Sequence, residues 1–241
     1  MQIMRTIRMG TYIWLIASGT TLGQSATVVA TEDSLEIRAA NSHLFVQYNN
    51  QNSFDQMIDE ASSQTADKDI VFVSGPKIHH FEKDPRDASH EAYLMSAAAN
   101  SDLIVIGAPT AASSDFTEGH HFLFSDYTVA VREVLYSNKV NVLPGQNIVV
   151  SRPGGSMQYR GKKIAASVIG FPFFQLNAPY VFFLRFLPNG SFIVFAESAF
   201  RVDTESVTTH PGQRNDAKAI ANRAFMEDVY KAVERLKDGG R

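Results

Sequence analysis

Apolar and polar positions follow their tightest pattern in the second half of the chain. Tyr180-Val181-Phe182-Phe183-Leu184-Arg185-Phe186-Leu187 leads across Pro188-Asn189-Gly190 into Phe192-Ile193-Val194-Phe195. Two aromatic-rich runs joined by Asn-Gly predict a β-hairpin with a type I′ turn, whose two central residues both need positive φ. Alternation along the first run puts Tyr180, Phe182, Leu184 and Phe186 on one face. Val181, Phe183, Arg185 and Leu187 share the other, which is expected to be either only partly buried or covered by the C-terminal helix with the guanidinium reaching the edge.

Upstream, Leu103-Ile104-Val105-Ile106-Gly107 is a continuous apolar run after Ser101-Asp102, the mark of a strand buried on both sides. Residues 111–119 are polar and are expected to form a loop. A long strand follows from Phe122 to Leu135, with Tyr127, Val129 and Val131 on one side and Thr128, Ala130 and Arg132 on the other. Its phase slips at Glu133-Val134-Leu135, so a bulge is expected there, bending the strand as a small barrel requires. Asn147-Ile148-Val149-Val150 reads as a third strand. Met157–Tyr159 and residues 164–168 are expected to pair across Arg160-Gly161-Lys162.

The flanks are mixed. Leu44-Phe45-Val46-Gln47-Tyr48 reads as a short strand. Ser53-Phe54-Asp55-Gln56 is a capping-box pattern, and Phe54, Met57, Ile58 and Ala61 continue it at helical spacing. Asp69-Ile70-Val71-Phe72-Val73 reads as a buried strand stopped by Gly75-Pro76. A polar stretch from Lys77 to Ser89 precedes a helix capped by Asp87 or Ser89, with Leu94, Met95 and Ala98 inward. After Asp203 the chain turns polar to Arg214. Ala217, Ile220, Ala221, Ala224, Phe225, Val229, Ala232, Val233 and Leu236 then predict an amphipathic helix starting at Asn215.

Composition narrows the class. The chain has 241 residues, 44% hydrophobic and 20% charged, enough apolar mass for a core. The formal net charge is −3 and no basic block occurs, so nucleic acid is not expected as a partner. There is no cysteine, which removes disulfides, thiolate catalysis and cysteine-based metal centres. Arg5 and Arg8, the apolar run Tyr12-Ile13-Trp14-Leu15-Ile16-Ala17 and the small residues after it have the layout of a secretory signal peptide, with Thr21 and Gly23 before the cut. That run is shorter than the roughly 20 residues a membrane span needs. The expected address is therefore periplasmic or extracellular, without stable membrane insertion once residues 1–25 are removed.

The order Ser101-Asp102-Leu103-Ile104-Val105-Ile106-Gly107, then Ser125-Asp126-Tyr127-Thr128-Val129-Ala130-Val131-Arg132-Glu133-Val134-Leu135, then Ser151-Arg152-Pro153-Gly154-Gly155, then Pro179-Tyr180-Val181-Phe182-Phe183-Leu184 resembles a loose group of exported bacterial proteins of unknown function. The layout is also similar to the OB-fold, netrin-like domains of the tissue metalloproteinase inhibitor type. The resemblance covers residues 97–203 and implies a five-stranded Greek-key barrel. Those domains use cysteines that this chain lacks. Their inhibitory N-terminal cysteine has no counterpart here, so the resemblance implies no protease inhibition.

Candidate chemistry is sparse. Arg152-Pro153-Gly154-Gly155-Ser156 is glycine-rich, and its amides could form an anion nest with Arg152, Gly154, Gly155 and Tyr159 as ligand-binding candidates. It lacks the phosphate-loop pattern, and a plain turn competes with that reading. His79, His80, His120 and His121, with Asp115, Glu118 and Asp126 near the second pair, are candidate metal ligands. Adjacent residues on an extended chain point apart, which argues for loop histidines instead. Tyr127, Tyr159, Phe171, Phe173 and Phe174 could stack a base or sugar, or simply fill a core. There is no GxSxG, HExxH or P-loop motif, and no cofactor is implied.

The sequence therefore predicts an α+β, mainly β chain. Residues 26–90 form an N-terminal α/β extension, 91–203 an OB-like five-stranded Greek-key barrel, 204–214 a linker and 215–241 a C-terminal helix. The leading expectation is an exported, non-catalytic binding or protein-interaction domain for an unknown protein or small ligand. The alternative is a metal-dependent hydrolase built on the loop histidines and a nearby carboxylate. A third reading, an assembly partner, would show a large apolar patch on the C-terminal helix.

Overall fold

The computed structural model describes residues 32–64, 70–75, 90–168, 171, 173–202, 206–207 and 220–239. The expected signal segment, 1–25, lies outside them. So do the helix caps Asp87 and Ser89 and the first-turn residues Asn215 and Ala217.

The fold is α+β and mainly β. Helix α1 (Glu32–Asn41) runs into a 3₁₀ helix, η1 (Ser42–Tyr48). Helix α2 (Phe54–Gln64), strand β1 (Ile70–Ser74) and helix α3 (His90–Ala99) follow. Then come β2 (Leu103–Phe116), β3 (Leu123–Ser137), β4 (Asn147–Pro153), β5 (Gly155–Tyr159), β6 (Lys162–Ser167), β7 (Tyr180–Phe186) and β8 (Phe192–Arg201). Two short strands, β9 (Ser206–Val207) and β10 (Ile220–Ala221), precede helix α4 (Asn222–Gly239).

Five strands close into a barrel in the order β2-β3-β4-β8-β7. All neighbours are antiparallel except β4 and β8, which run parallel at Val150↔Phe192 and Ser151↔Ile193. Closure rests on the first half of β2, which pairs with β3 on one edge and with β7 on the other. Register shifts between β2 and β3 skip Leu135 and Arg132 on one strand and Thr110 on its partner. The expected bulge is therefore present at Leu135. These extra residues sharpen the local bend that a small barrel demands.

Inner and outer faces of the barrel belong to different cores. Leu103, Val105, Tyr127, Val129, Val131, Phe182 and Leu184 sit in a cluster that also takes in Phe45, Tyr48, Phe54 and Ile58 from the N-terminal elements. Ile104, Val181, Phe183 and Phe200 instead join α3 and α4, through Tyr93, Leu94, Phe225 and Val229. The two-sided burial expected for 103–107 thus has its physical cause. So does the cover over Val181 and Phe183, with Arg185 left exposed. The Arg235–Glu91 pair, at 2.8 Å, ties α4 to α3. Between β4 and β7 the chain leaves the barrel to make β5 and β6, which form a second sheet with β1 in the order β1-β6-β5.

Five local expectations are corrected. Leu44–Tyr48 is not a strand: Phe45 and Tyr48, three apart, eclipse on one side of η1 and are both buried. The polar stretch 111–119 is not all loop, because β2 continues to Phe116. Ser114 bonds across the ladder, its Oγ 2.9 Å from Ser125 Oγ. Strand β1 is buried on one face only, since Phe72 is 78% exposed. The Asn189-Gly190 turn is not type I′. Pro188 holds φ negative, the Gly190 N–H donates to Leu187 O at 3.0 Å, and Gly190 alone has positive φ, which is the three-residue hairpin loop with a glycine bulge. Ile220 and Ala221 are not the start of α4. They pair with Val207 and Ser206, so β9 lies within the stretch expected to be a linker. The capping box at Ser53 and Gln56 is formed as expected: the Ser53 N–H donates to Gln56 Oε1 at 3.0 Å and the Gln56 N–H to Ser53 Oγ at 3.4 Å.

Candidate functional site

Two polar clusters sit on β3 and β4, one on each side of the barrel wall. On the inner side, Arg152 continues the face of Ile148 and Val150 and is fully buried. Its guanidinium donates through Nε to Pro153 O at 3.1 Å and through Nη2 to Phe171 O, and it bonds the Tyr127 hydroxyl. The Phe173 and Phe174 rings lie 4.9 and 5.6 Å from its carbon centre. Burial lowers its pKa to about 10, against the pull of the Tyr127, Tyr180 and Tyr48 hydroxyls, so it stays cationic at neutral pH. Burial also pushes the Tyr48 hydroxyl up to about 12, which keeps it neutral.

The glycine-rich segment after Arg152 is close-packed against the protein. Gly154 has φ +84 and donates its N–H to Leu123 O at 2.8 Å. A Cβ on Gly155 would stand 2.4 Å from Ser114 Oγ and 2.5 Å from Ser125 Oγ. The Ser156 N–H donates to Ser114 Oγ at 3.0 Å, and Ser125 Oγ donates to Gly154 O at 2.8 Å. Tyr159 has other partners: its hydroxyl bonds Asp55 on α2 at 3.0 Å, beside the Arg160–Asp55 pair at 2.9 Å. Donating that hydrogen bond to the Asp55 carboxylate raises the Tyr159 pKa. Arg152 and Tyr159 are thus held by different parts of the fold.

The histidines divide. His79 and His80 lie outside the described residues. His120 is exposed in the β2–β3 loop at φ 57, its ring stacked 4.8 Å from Phe116. His121 is half-buried, and its Nδ1 makes no hydrogen bond among the described residues. Among those residues no three His, Asp or Glu side chains stand close enough to hold a metal ion. Of the stacking candidates, Tyr127 and Phe174 lie in the barrel core, 4.8 Å apart, and Phe171 is buried with them. Phe173 is 50% exposed.

The outer cluster joins residues far apart in sequence and was not visible in it. Asn41, at the end of α1, is fully buried. Its Nδ2 donates to Ser151 Oγ at 2.8 Å and to Ser191 Oγ at 3.3 Å, while its Oδ1 accepts from Asn189 Nδ2 at 2.6 Å. Ser191 Oγ donates to Asn189 Oδ1 at 2.7 Å, and Ser151 Oγ donates to Asp126 Oδ1. Asp126 Oδ2 and Arg38 Nε are buried with no hydrogen-bond partner among the described residues. Burial raises the Asp126 pKa against the Ser151 hydrogen bond and the Arg38 charge. Ser151, fully buried and donating to a carboxylate, is not presented to a substrate in this arrangement. The available signal was short polar residues at strand positions, which sequence alone cannot pair.

The raised Asp126 pKa sets a pH dependence. A carboxyl whose folded pKa exceeds its unfolded value stabilises most below the unfolded pKa and loses that contribution as pH rises through the folded pKa. Asp126→Asn cannot titrate and keeps an acceptor for Ser151. Urea unfolding from about pH 4 to about pH 7 should show its stability rising relative to the unaltered protein as pH increases. A difference that is flat or falls with pH would contradict this assignment.

Comparison of the whole chain with protein-family models and with curated proteins finds no match.

Proposed function

We propose that the protein is an exported, non-catalytic binding or protein-interaction domain built on an OB-type Greek-key barrel. The strand order supports the fold reading. The barrel strands follow one another as first, second, third, fifth, fourth, and the last lies beside the third, as in a five-stranded Greek-key barrel. The basic, apolar and small-residue succession before Ala26 supports export. Kinship with the netrin-like domains is proposed on the same strand layout and extends to architecture, not to activity.

The observation that carries the interaction reading is Phe72. Its ring is 78% exposed on β1, directly opposite Ala165 on β6, which in turn stands opposite Ser156 on β5. Among the described residues its cross-strand neighbours are small, and exposed Ile70 shares its face of β1. Burying a phenylalanine in a partner gains roughly 1.5–3 kcal/mol, which is sufficient reason to keep one exposed at a contact.

A photo-crosslinking residue at position 72 of the full chain, in the cells that make it, tests this. The expected result is a discrete adduct with one partner at position 72. The same residue at Leu143, also exposed but on the β3–β4 loop, should give none. Identical background labelling at both positions would sink the interaction reading. Zinc-dependent hydrolysis of an ester, phosphodiester or peptide, lost in His120→Ala and His121→Ala, would install the metal-hydrolase alternative in its place.

A further inference from the structure

We infer that the partner of the Phe72 face is a second copy of this chain, joined edge to edge through strand β1. The inference rests on the interaction reading of Phe72 and names its partner. Strand β1 is an outer strand of the β1-β6-β5 sheet. Strand β6 holds one of its edges, and among the described residues no strand pairs with the other. Phe72, in the middle of β1, is 78% exposed, which a strand on each side would not allow. An open edge presents a row of backbone N–H and C=O groups, and the chemistry that matches such a row is another strand. Proteins blunt open edges with a charge, a proline or a bulge. Ile70-Val71-Phe72-Val73-Ser74 has no charged residue and no proline, and its pairs with β6 run from Ile70↔Lys163 to Ser74↔Ser167 without a shift.

The strand's own pattern selects its mate. Ile70, Phe72 and Ser74 are exposed, and Val71 and Val73 are buried. Antiparallel pairing with a second copy, centred on Phe72, is the register that uses the whole strand. It sets Phe72 against Phe72, Ile70 against Ser74 and Val71 against Val73, so outer positions meet outer and inner meet inner. A slip of one residue would set outer against inner. Aromatic pairs across strands are favourable, and with no charge on β1 the two-fold contact opposes no like charges. A foreign strand finds no charge on this edge to recognise, whereas β1 fits itself residue for residue. The sheets of the two copies then run on as one. A contact this short lies at the weak end of interface sizes, so the dimer is reversible.

Sedimentation of the full chain over about 1–200 µM tests this, with a rise from monomer to dimer mass as the expected result. Phe72→Lys sets two ammonium groups against each other and should weaken the dimer at least about ten-fold. Because Phe72 is exposed, the same change should leave the urea midpoint of the monomer where it was. The absence of native cysteine permits a test of register. Under mild oxidation, Ile70→Cys chains mixed with Ser74→Cys chains should form the mixed disulfide at least about five-fold faster than either variant links to itself. A chain that stays monomeric throughout, a dimer untouched by Phe72→Lys, or equal linking of like and unlike cysteines would overturn the inference. The interaction reading fails separately, when position 72 crosslinks no more than Leu143. An adduct at position 72 with a different protein would keep that reading and refute the second copy.

Discussion

Arg152→Met is expected to destabilise the protein by roughly 3–5 kcal/mol. The reasoning starts from what the guanidinium holds: Phe171 O, Pro153 O, the Tyr127 hydroxyl and the Phe173 ring. Methionine keeps much of the stem's bulk and supplies no donor. Each buried acceptor it abandons costs about 1–3 kcal/mol, and the losses share one site and do not simply add. Arg152→Lys should recover only part, because a single ammonium cannot serve a fork of carbonyl and ring partners. The check is urea unfolding, with the midpoint lowered and the slope unchanged. A loss below about 1 kcal/mol would show that the cation is not what fastens the 153–171 segment to the barrel mouth.

Phe225→Ala is expected to cost a similar amount, about 3–5 kcal/mol, by the usual arithmetic of transfer plus cavity. Phe225 is fully buried, with its ring 5.0 Å from Phe200, and Val229, Ala232 and Val233 continue the same stripe of α4. The control is Tyr230→Ala on the outer side of the helix, where Tyr230 is 42% exposed and the change should stay within about 0.5 kcal/mol. This contrast separates a helix that covers the barrel from one held ready for a partner. Equal, small effects at both positions would remove α4 from the core.

Much of this architecture could be read in the chain because its cause is local or periodic. The capping box at Ser53, the slip of phase at Leu135 and the alternation of Tyr127, Val129 and Val131 each need only neighbouring residues to be recognised. The same holds for the stripe from Phe225 to Val233. The failures share a different cause. The polarity of Ser113, Ser114 and Asp115 suggested a loop because their partners, Asp126, Ser125 and Phe124, are on the next strand. Asn189-Gly190 suggested type I′ until the proline before it was given its own weight. Phe72 suggested burial because a four-residue apolar run, Ile70 to Val73, does not say which face will be covered.

The candidate site was less legible still. Arg152 stood out in sequence as a flank to two glycines, with an anion as its imagined partner. Folding turns it inward, onto a carbonyl nineteen positions away and a set of aromatic rings. The Asn41–Ser151–Asp126 cluster joins partners 110 and 25 positions apart, and nothing in their local surroundings marks them.

What the amino-acid sequence by itself determined is most of the barrel strands, the bulge at Leu135 and the apolar stripes of α2, α3 and α4. These follow from period and from φ preferences, which act over a few residues. The tertiary structure alone decided which face of each strand was covered. It decided too that the polar residues of β3 and β4 would meet α1 on one side of the wall and Arg152 on the other. Burial and hydrogen-bond satisfaction are properties of what packs against a residue, and that is supplied by chain far removed in sequence.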